Sequence, residues 1–422
     1  MGLGTVGTGV VRLVQAYQED FKNKTGVAVT IERILVRNIE KERSVAVPQE
    51  LLTENPDDLL DDPQIDCIIE VMGGIEPAKS YLIKALQNRK HVITANKDLM
   101  ALHGVELTDL AREYNCDLYY EASVGGGIPI LKTITEGFSS DRIRKIVGIV
   151  NGTTNYILTK MEKEKVSYDR ALQEAQELGF AENDPTNDVE GIDAAYKMVI
   201  LATLGFHQGI RLEDVYYEGI TRVSMDDLQY ADKFGYTIKL LGIAREDDGA
   251  IEVNVQPTMI KKTHPLAMVQ GVNNAVYIYG HAVGETMFAG PGAGELPTAT
   301  AVLSDLVTVV KNMQLGTNGK GSLAPYREIR MKQETEIFAK FFLRLVVTDK
   351  SGVLARIASH FANHDISLEH IIQVPYPSLE NSAELIVITH TTTVANLKAV
   401  LARLDEAVYV SAIKSCYRVE GE

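Results

Sequence analysis

The sequence predicts an α/β protein, with a doubly wound parallel sheet in the first quarter of the chain. Two short apolar runs, Ile65–Val71 and His91–Thr94, flank a segment with helical spacing, Pro77–Arg89. Short apolar runs bounded by glycine are typical of buried parallel strands, and their alternation with helices indicates βαβ units. Val27–Val36 is a further strand candidate. The pattern predicts one domain over residues 1–108.

The rest of the chain divides into a mixed middle region and a small C-terminal module. Residues 109–300 alternate strands with amphipathic helices, and a helix at about 298–312 is expected to pack back on the first domain. Residues 313–336 are polar and are expected to form a linker. Residues 337–422 repeat strand, helix and strand, which predicts a small α+β module.

Composition excludes several classes of protein. The chain has 422 residues and a net charge of −15, so nucleic acids and anionic membranes are not expected partners. Its three cysteines are scattered, and no apolar stretch approaches the roughly 18 residues of a membrane span. We therefore expect a soluble protein of the reducing cytoplasm.

A glycine-rich loop opens the chain. Gly2-Leu3-Gly4-Thr5-Val6-Gly7 fits G-x-G-x-x-G and leads into an apolar helix. Such glycines allow a tight turn and close approach of a pyrophosphate, which the helix N-terminus then binds. With the βαβ rhythm, the loop predicts a Rossmann-type domain in which Gly2, Gly4, Thr5, Val6 and Gly7 contact a dinucleotide. The strand that normally precedes the loop is missing, and we expect a truncated start, or else a sheet without a central strand.

The residue after the second strand bears on the choice of cofactor. NAD sites usually have Asp or Glu there, whereas this chain has Val36-Arg37-Asn38. Arg37 would suit the 2′-phosphate of NADP, which favours NADP over NAD. The alternative is that Arg37 is an ordinary solvated charge.

An acidic cluster precedes a helix that carries Lys197. It contains Glu182, Asp184, Asp188, Glu190 and Asp193. Asp193 and Lys197 are four residues apart and share one helix face, but a surface ion pair of this kind is common and contributes only about 0.3–0.5 kcal/mol. Spacing alone leaves a solvated helix and a functional site both open.

The whole pattern resembles the homoserine dehydrogenase family over residues 1 to about 320. The blocks that carry the resemblance agree in order and spacing. They are Gly2–Gly7, Thr94–Lys97, Glu121–Pro129, Asn151–Tyr156, Gly179–Lys197, and Gly290–Gly294 with Pro297-Thr298.

The resemblance implies reversible oxidation of the homoserine alcohol to aspartate 4-semialdehyde, with hydride transfer to NAD(P). By similarity, Lys197 is the acid/base for the alcohol proton and Lys97 a second essential lysine. Glu182 would bind the substrate ammonium group, Asp193 would orient the hydroxyl and Lys197, and Asp188 would support them. Gly152 and Thr153 would offer backbone contacts. The cofactor set would add Thr94, Lys97 and Gly294.

Glu121–Ile128 resembles the family's monovalent-cation site. Glu121 would give a carboxylate oxygen, and Val124, Gly126 and Ile128 would give carbonyls, since hard cations take several oxygen ligands. Sodium is the expected ion. The alternative is a structural turn without an ion.

The C-terminal module resembles an ACT domain of ferredoxin-like fold. Leu345–Leu354 matches its opening strand and turn, and His364–Glu369 matches the segment that follows. ACT modules pair side by side and bind amino acids, which implies a homodimer or homotetramer and a threonine effector. The alternative is a dimerisation module without a ligand.

Two other functions stay open at this point. A different NAD(P)-linked oxidoreductase, such as a semialdehyde dehydrogenase, would need a nucleophilic cysteine in a glycine-rich turn, and Cys67 and Cys116 do not fit. A non-catalytic amino-acid sensor with an impaired dinucleotide site would bind no nicotinamide cofactor.

Overall fold

The computed structural model describes residues 1–321 and 325–421, and residues 322–324 of the expected linker and residue 422 of the C-terminal module lie outside this part. Strands run through most of the described chain. They are β1 (Ile34–Leu35), β2 (Leu52–Thr53), β3 (Cys67–Glu70), β4 (His91–Thr94), β5 (Leu118–Tyr119), β6 (Ile143–Ile149), β7 (Tyr216–Tyr217), β8 (Tyr236–Asp247), β9 (Ala250–Lys261), β10 (Asn273–Gly280), β11 (Gly284–Pro291), β12 (Phe338–Thr348), β13 (Leu368–Pro375), β14 (Ser382–Thr389), β15 (Thr392–Thr393) and β16 (Val410–Glu420).

Helices alternate with these strands. They are α1 (Thr5–Ala16), α2 (Gln18–Thr25), α3 (Asp57–Leu60), α4 (Ala78–Gln87), α5 (Lys97–Glu113), α6 (Ile130–Lys132), α7 (Gly152–Glu164), α8 (Tyr168–Glu177), α9 (Thr186–Val189), α10 (Ile192–Phe206), α11 (Met225–Lys233), α12 (Glu295–Leu315), α13 (Val353–Ala362) and α14 (Val394–Asp405). Among the described residues, none of these helices is both long and apolar enough to cross a membrane.

The chain forms two compact units. The first comprises Met1–Val150, Ala195–Val215 and Asn273–Ile329, and the second comprises Asn151–Ala194, Tyr216–Val272 and Arg330–Glu422. Helix α10 begins in the second unit and continues into the first.

Parallel strands form the centre of the first unit. Strand β4 lies between β3 and β5, and β1 pairs with β2, all in parallel. Met1 and Gly2 bond to both groups, since Gly2 N donates to Leu35 O (3.0 Å) and Val71 N donates to Met1 O (2.9 Å). The predicted α/β class with a parallel sheet is confirmed.

The strand expected over Val27–Val36 is wrong for most of its length. Only Ile34–Leu35 is regular strand, because these residues pair with β2. Residues 27–33 instead border a cavity of about 500 Å³ in the first unit, together with Cys67 and Ile69. Regular strand needs a hydrogen-bonded neighbour as well as an apolar pattern. Residues 27–33 are exposed or half-buried, and in the described chain the pairing with β2 is confined to Ile34–Leu35.

Helices α1 and α12 close one side of this unit. Val10 and Val14 of α1 pack with Val302 and Leu306 of α12 in one buried cluster. The approach is close, since a Cβ on Gly9 would lie 2.6 Å from Glu295 O. Strands β6, β10 and β11 form an antiparallel group in the same unit.

The second unit contains a mixed sheet in the order β8-β9-β16-β12-β14-β13. Strands β12, β13, β14 and β16, with α13 and α14, form a βαββαβ module whose sheet order is 4-1-3-2. This is the ferredoxin-like arrangement predicted for the C-terminal region. Its last strand, β16, also pairs in parallel with β9.

Buried ion pairs join this module to the rest of the second unit. Arg418 on β16 donates to Glu252 on β9 (3.0 Å). Arg344 on β12 donates to Asp227 on α11 (2.6 Å) and also lies 2.6 Å from Glu384. Removal of one partner from such a pair leaves a buried charge uncompensated. We therefore expect that removing the module would destabilise the rest of the second unit.

Candidate active site

The glycine loop has the geometry of a phosphate-binding turn. Gly2 has φ +92°, a region that L side chains rarely adopt, and a Cβ on Gly7 would lie 2.3 Å from Gly2 O. Gly4 is extended and caps α1, which starts at Thr5 and includes Val6. Glycine is therefore required at both ends of the loop, and the loop backbone at the start of α1 fits a pyrophosphate.

The exposed Arg37 lies two residues after the end of β1. The neighbouring Arg43 has a different task, because its guanidinium donates to the main-chain carbonyls of Asn38, Ile39 and Lys41. Arg43 thus shapes the loop, whereas Arg37 presents its charge at the carboxyl end of β1.

A buried hydrogen-bond network organises the carboxyl ends of β3 and β4. Thr94 donates to Glu70 Oε2 (2.6 Å), and Glu70 Oε1 accepts from Met72 N (2.7 Å). Asn96 caps α5 by accepting from Leu99 N (3.1 Å). Lys97, the first residue of α5, is half-buried. The network fixes the direction in which α5 leaves the sheet.

Gly294 begins the last helix of this unit. It has φ +128° and caps α12. As a result, the loop before α12 can turn sharply into the helix without a side chain.

Glu121 is almost fully buried at the start of a short helix. Its carboxylate accepts from Leu131 N (2.8 Å) and Lys132 N (2.7 Å). Burial raises the pKa of Glu121 to about 7. Val124 and Ile128 are also buried, and Gly126 has φ +52°. The carbonyl of Ile128 already accepts from Ile130 N (2.8 Å), so the turn is well ordered by its own bonds.

In the second unit, one asparagine joins the acidic cluster to a helix. Asn151 Oδ1 accepts from Thr154 N (2.9 Å) and so caps α7. Its amide Nδ2 donates to Asp188 (2.7 Å) and to Asp193 (2.8 Å). Asn151 therefore holds two of the expected site carboxylates at the start of α7.

Lys197 is half-buried on α10 in the first unit. Its Nζ donates to Val150 O (2.8 Å). Val150 directly precedes Asn151 in the chain, and Asp193 lies one turn before Lys197 on α10. The lysine is therefore connected to the carboxylates along the chain, through Val150 and Asn151 and through α10.

The remaining expected substrate residues also lie in the second unit. Gly152 and Thr153 form the first turn of α7, and Thr153 donates to Phe180 O (2.6 Å). A Cβ on Gly152 would lie 2.7 Å from Val272 O. The side chain of Glu182 is exposed. Glycine at 152 lets the segment that ends at Val272 pack directly on the helix start.

Three buried polar residues near these positions were not among the site residues predicted from the sequence. Glu70 lies in an apolar strand, Asn151 was noted only as part of a turn motif, and Lys239 lies inside an apolar run. Lys239, on β8, is 1% exposed and donates to Asn155 Oδ1 (2.9 Å) and Val269 O (2.8 Å). A polar residue within an apolar run was the signal that could have marked Glu70 and Lys239.

Comparison with known proteins identifies the molecule. The chain matches the family model "Homoserine dehydrogenase" over residues 129–307, its NAD-binding domain over residues 2–121, and the ACT domain over residues 341–408. It is 52% identical over 421 residues to a homoserine dehydrogenase of Bacillus subtilis, covering 100% of this chain and 97% of that protein.

Solved structures agree. A homoserine dehydrogenase from Thiobacillus denitrificans matches with a TM-score of 0.93 and 38% identity, covering 100% of this chain and 97% of that one. A hyperthermophilic archaeal homoserine dehydrogenase in complex with NADPH matches with a TM-score of 0.59 and 26% identity, covering 73% of this chain and 95% of that one.

Fold and site together define an oxidoreductase with an NAD(P)-binding domain and an ACT domain. More specifically, the chain belongs to the homoserine dehydrogenase family, whose members interconvert L-homoserine and L-aspartate 4-semialdehyde on the route to threonine and methionine. A non-catalytic sensor and a semialdehyde dehydrogenase are both disfavoured.

The buried Lys239 makes stability depend on pH. Burial lowers the pKa of Lys239 to about 8, so the folded state disfavours the charged form. Above the unfolded pKa of ~10.4 the lysine is neutral in both states, and its burial carries no charge penalty. As the pH falls towards 8, the unfolded state takes up the proton first, so the folded state loses stability. We expect wild type to gain about 2 kcal/mol of unfolding free energy relative to K239M between pH 8 and pH 10. Chemical denaturation at both pH values measures it, and a constant difference would contradict it.

Proposed function

We propose that Lys197 Nζ exchanges the proton of the homoserine hydroxyl. In oxidation the neutral amine accepts this proton, and in the reverse direction the ammonium donates it to the nascent alkoxide. The observation that carries the proposal is the hydrogen bond from Lys197 Nζ to Val150 O (2.8 Å). The next residue in the chain, Asn151, binds Asp188 and Asp193. The bond to Val150 O fixes the direction of the amine on α10.

The other ligands of the substrate follow from its charges. Homoserine is a zwitterion, and the exposed Glu182 supplies a carboxylate for its ammonium group. The N–H groups of Gly152 and Thr153 in the first turn of α7 lack intrahelical acceptors and bind its carboxylate. Asp193 orients the hydroxyl and Lys197, and Asp188 supports Asn151.

The cofactor is held in the first unit. When bound, NADP supplies the nicotinamide ring that takes up the hydride. Gly2, Gly4, Thr5, Val6 and Gly7 hold its pyrophosphate, whereas Thr94, Lys97 and Gly294 hold its nicotinamide half. Arg37 selects the 2′-phosphate because it is the exposed guanidinium at the carboxyl end of β1. The archaeal relative in complex with NADPH supports this choice.

A sodium ion completes the first unit. We propose that the carbonyls of Val124, Gly126 and Ile128 with Glu121 form its oxygen ligands. Burial raises the pKa of Glu121, and a bound cation would oppose this effect by favouring the ionised carboxylate. The carboxylate oxygens and the Ile128 carbonyl already accept N–H groups, so the ion would use their second lone pairs.

An assay of nicotinamide absorbance with homoserine as substrate tests both the proposed reaction and the role of Lys197. Wild type should reduce NADP faster than NAD, and faster in NaCl than in choline chloride. K197A should lose at least a factor of about 10² in kcat, because general acid–base catalysis typically contributes 10²–10⁴. Its NADPH affinity, measured by fluorescence titration, should stay within twofold of wild type.

Three outcomes would contradict these assignments. Wild type without homoserine turnover would exclude the reaction, and K197A with normal turnover would exclude Lys197 as proton carrier. Equal rates with NAD and NADP in wild type and R37S would exclude selection by Arg37.

Glu182 offers a test of substrate binding. E182Q should raise KM for homoserine about tenfold or more, because it removes the charge that pairs with the ammonium group, while KM for NADP should not change. D184N is the matched control, since Asp184 is exposed in the same segment but bonds only locally to Thr186. A rise in both KM values of E182Q would contradict a substrate-specific role.

The ACT module carries the candidate effector site. A cavity of about 270 Å³ is lined by Thr348–Leu354, Gln373 and neighbouring apolar residues. Asp349, which accepts from Gln373 (3.1 Å), suits an ammonium group, and the α13 N-terminus after Gly352 suits a carboxylate. We propose threonine as the amino acid bound, in a homodimer or homotetramer whose modules pair along the edge strand β13.

Calorimetric titration with L-threonine tests the effector. D349N should weaken binding at least tenfold, because the partner of the ammonium group loses its charge. D365N, on the same module but away from the cavity, should bind as wild type. Binding that is unchanged in D349N would place the effector elsewhere.

A further inference from the structure

Lys239 connects three segments of the second unit. It lies on β8, and its Nζ donates to Asn155 on α7 and to the carbonyl of Val269, which follows Pro265–Met268. Asn155 also donates to Val269 O (3.3 Å). Strand, helix and loop are therefore held at one ammonium group that is 1% exposed.

The segment held at Val269 also supports the start of α7. Three residues further on, Val272 O lies where a Cβ on Gly152 would come within 2.7 Å. In addition, Gly271 N donates to Thr159 on the same helix (3.3 Å). The position of the first turn of α7 thus depends on the segment 269–272, which Lys239 fixes.

Packing alone does not explain a lysine at this position. A buried charge lowers stability unless it is well paired, and an apolar side chain of similar length would often serve as well or better. The charged groups near it on α7 are Glu162 and Lys163, of opposite sign. A positive charge behind the N-terminal half of a helix instead adds to the positive end of the helix dipole.

We propose that Lys239 is a positioning residue for substrate binding, which fixes the first turn of α7 and strengthens its positive potential toward a carboxylate. The inference rests on the proposed function, in which Gly152 and Thr153 bind the carboxylate of the substrate. It adds a residue that is remote from substrate and yet sets its affinity.

Steady-state kinetics on K239M and N155D tests the proposal. K239M should raise KM for homoserine at least tenfold, change kcat less than threefold and leave NADPH affinity within twofold. N155D keeps an oxygen for Lys239 but places a negative charge beside it, so KM should rise at least threefold with the melting temperature retained.

K90M is the matched control. Lys90 is also buried and donates to main-chain carbonyls, those of Asp62 and Ile65, but it lies in the first unit. Its KM for homoserine should equal that of wild type.

The outcomes distinguish a failure of the Lys239 positioning role from a failure of the proposed function. Normal KM values in both K239M and N155D, with an active wild type, would overturn the positioning role alone. If K239M fails to fold, N155D decides the question. Wild type without homoserine turnover would overturn both the proposed function and this inference.

Discussion

The geometry of the acidic cluster depends on one amide side chain. Asn151 caps α7 with its oxygen and binds Asp188 and Asp193 with its nitrogen. An amide is a neutral group with two donors and an acceptor on one planar end, which neither serine nor aspartate provides. Because its donors are neutral, these two bonds place the carboxylates without adding a positive charge beside them. The adjacent Val150 carbonyl meanwhile fixes Lys197.

The charge of Lys239, which lies behind α7, is opposite in sign to that of the acidic cluster. Lys239 lies behind α7, where it meets Asn155 and a carbonyl rather than a carboxylate. A carboxylate partner would relieve its burial more fully, but it would also cancel its field. The same contrast holds in the first unit, where Glu70 is satisfied by N–H and O–H donors. At these positions the protein surrounds a buried ionisable group with neutral dipoles, an arrangement that lowers stability and is common among residues that serve a site.

The sequence predicted those features that depend on local pattern. The glycine loop, β3, β4 and α4 lie where periodicity and turn residues indicated them, because a buried parallel strand and an amphipathic helix each have a local signature. The strand predicted over Val27–Val36 was wrong for most of its length, because strand pairing depends on a distant partner that a local pattern does not reveal. The twelve-residue β8 was missed for a related reason, since Lys239 interrupts its apolar run and its partner Asn155 is 84 residues away. The role of Asn151 as a bridge likewise depends on Asp188 and Asp193, which no local pattern assigns to it.

The ACT module is bound to the catalytic region by a continuous sheet and by buried charges. Strand β12 carries Val347 and Thr348, which line the cavity of the ACT module, and also Arg344, three residues before Val347. Arg344 donates to Ser224 (2.9 Å) and Asp227 (2.6 Å), the two residues that cap α11, and Tyr417 of β16 donates to the same aspartate (3.0 Å). A ligand influences catalysis only if two arrangements of the protein bind it differently. The start of α11 is bonded directly to the ACT sheet. Its cap is made partly by strands of the ACT sheet, so a ligand that moves β12 must either carry the helix with it or break a buried ion pair.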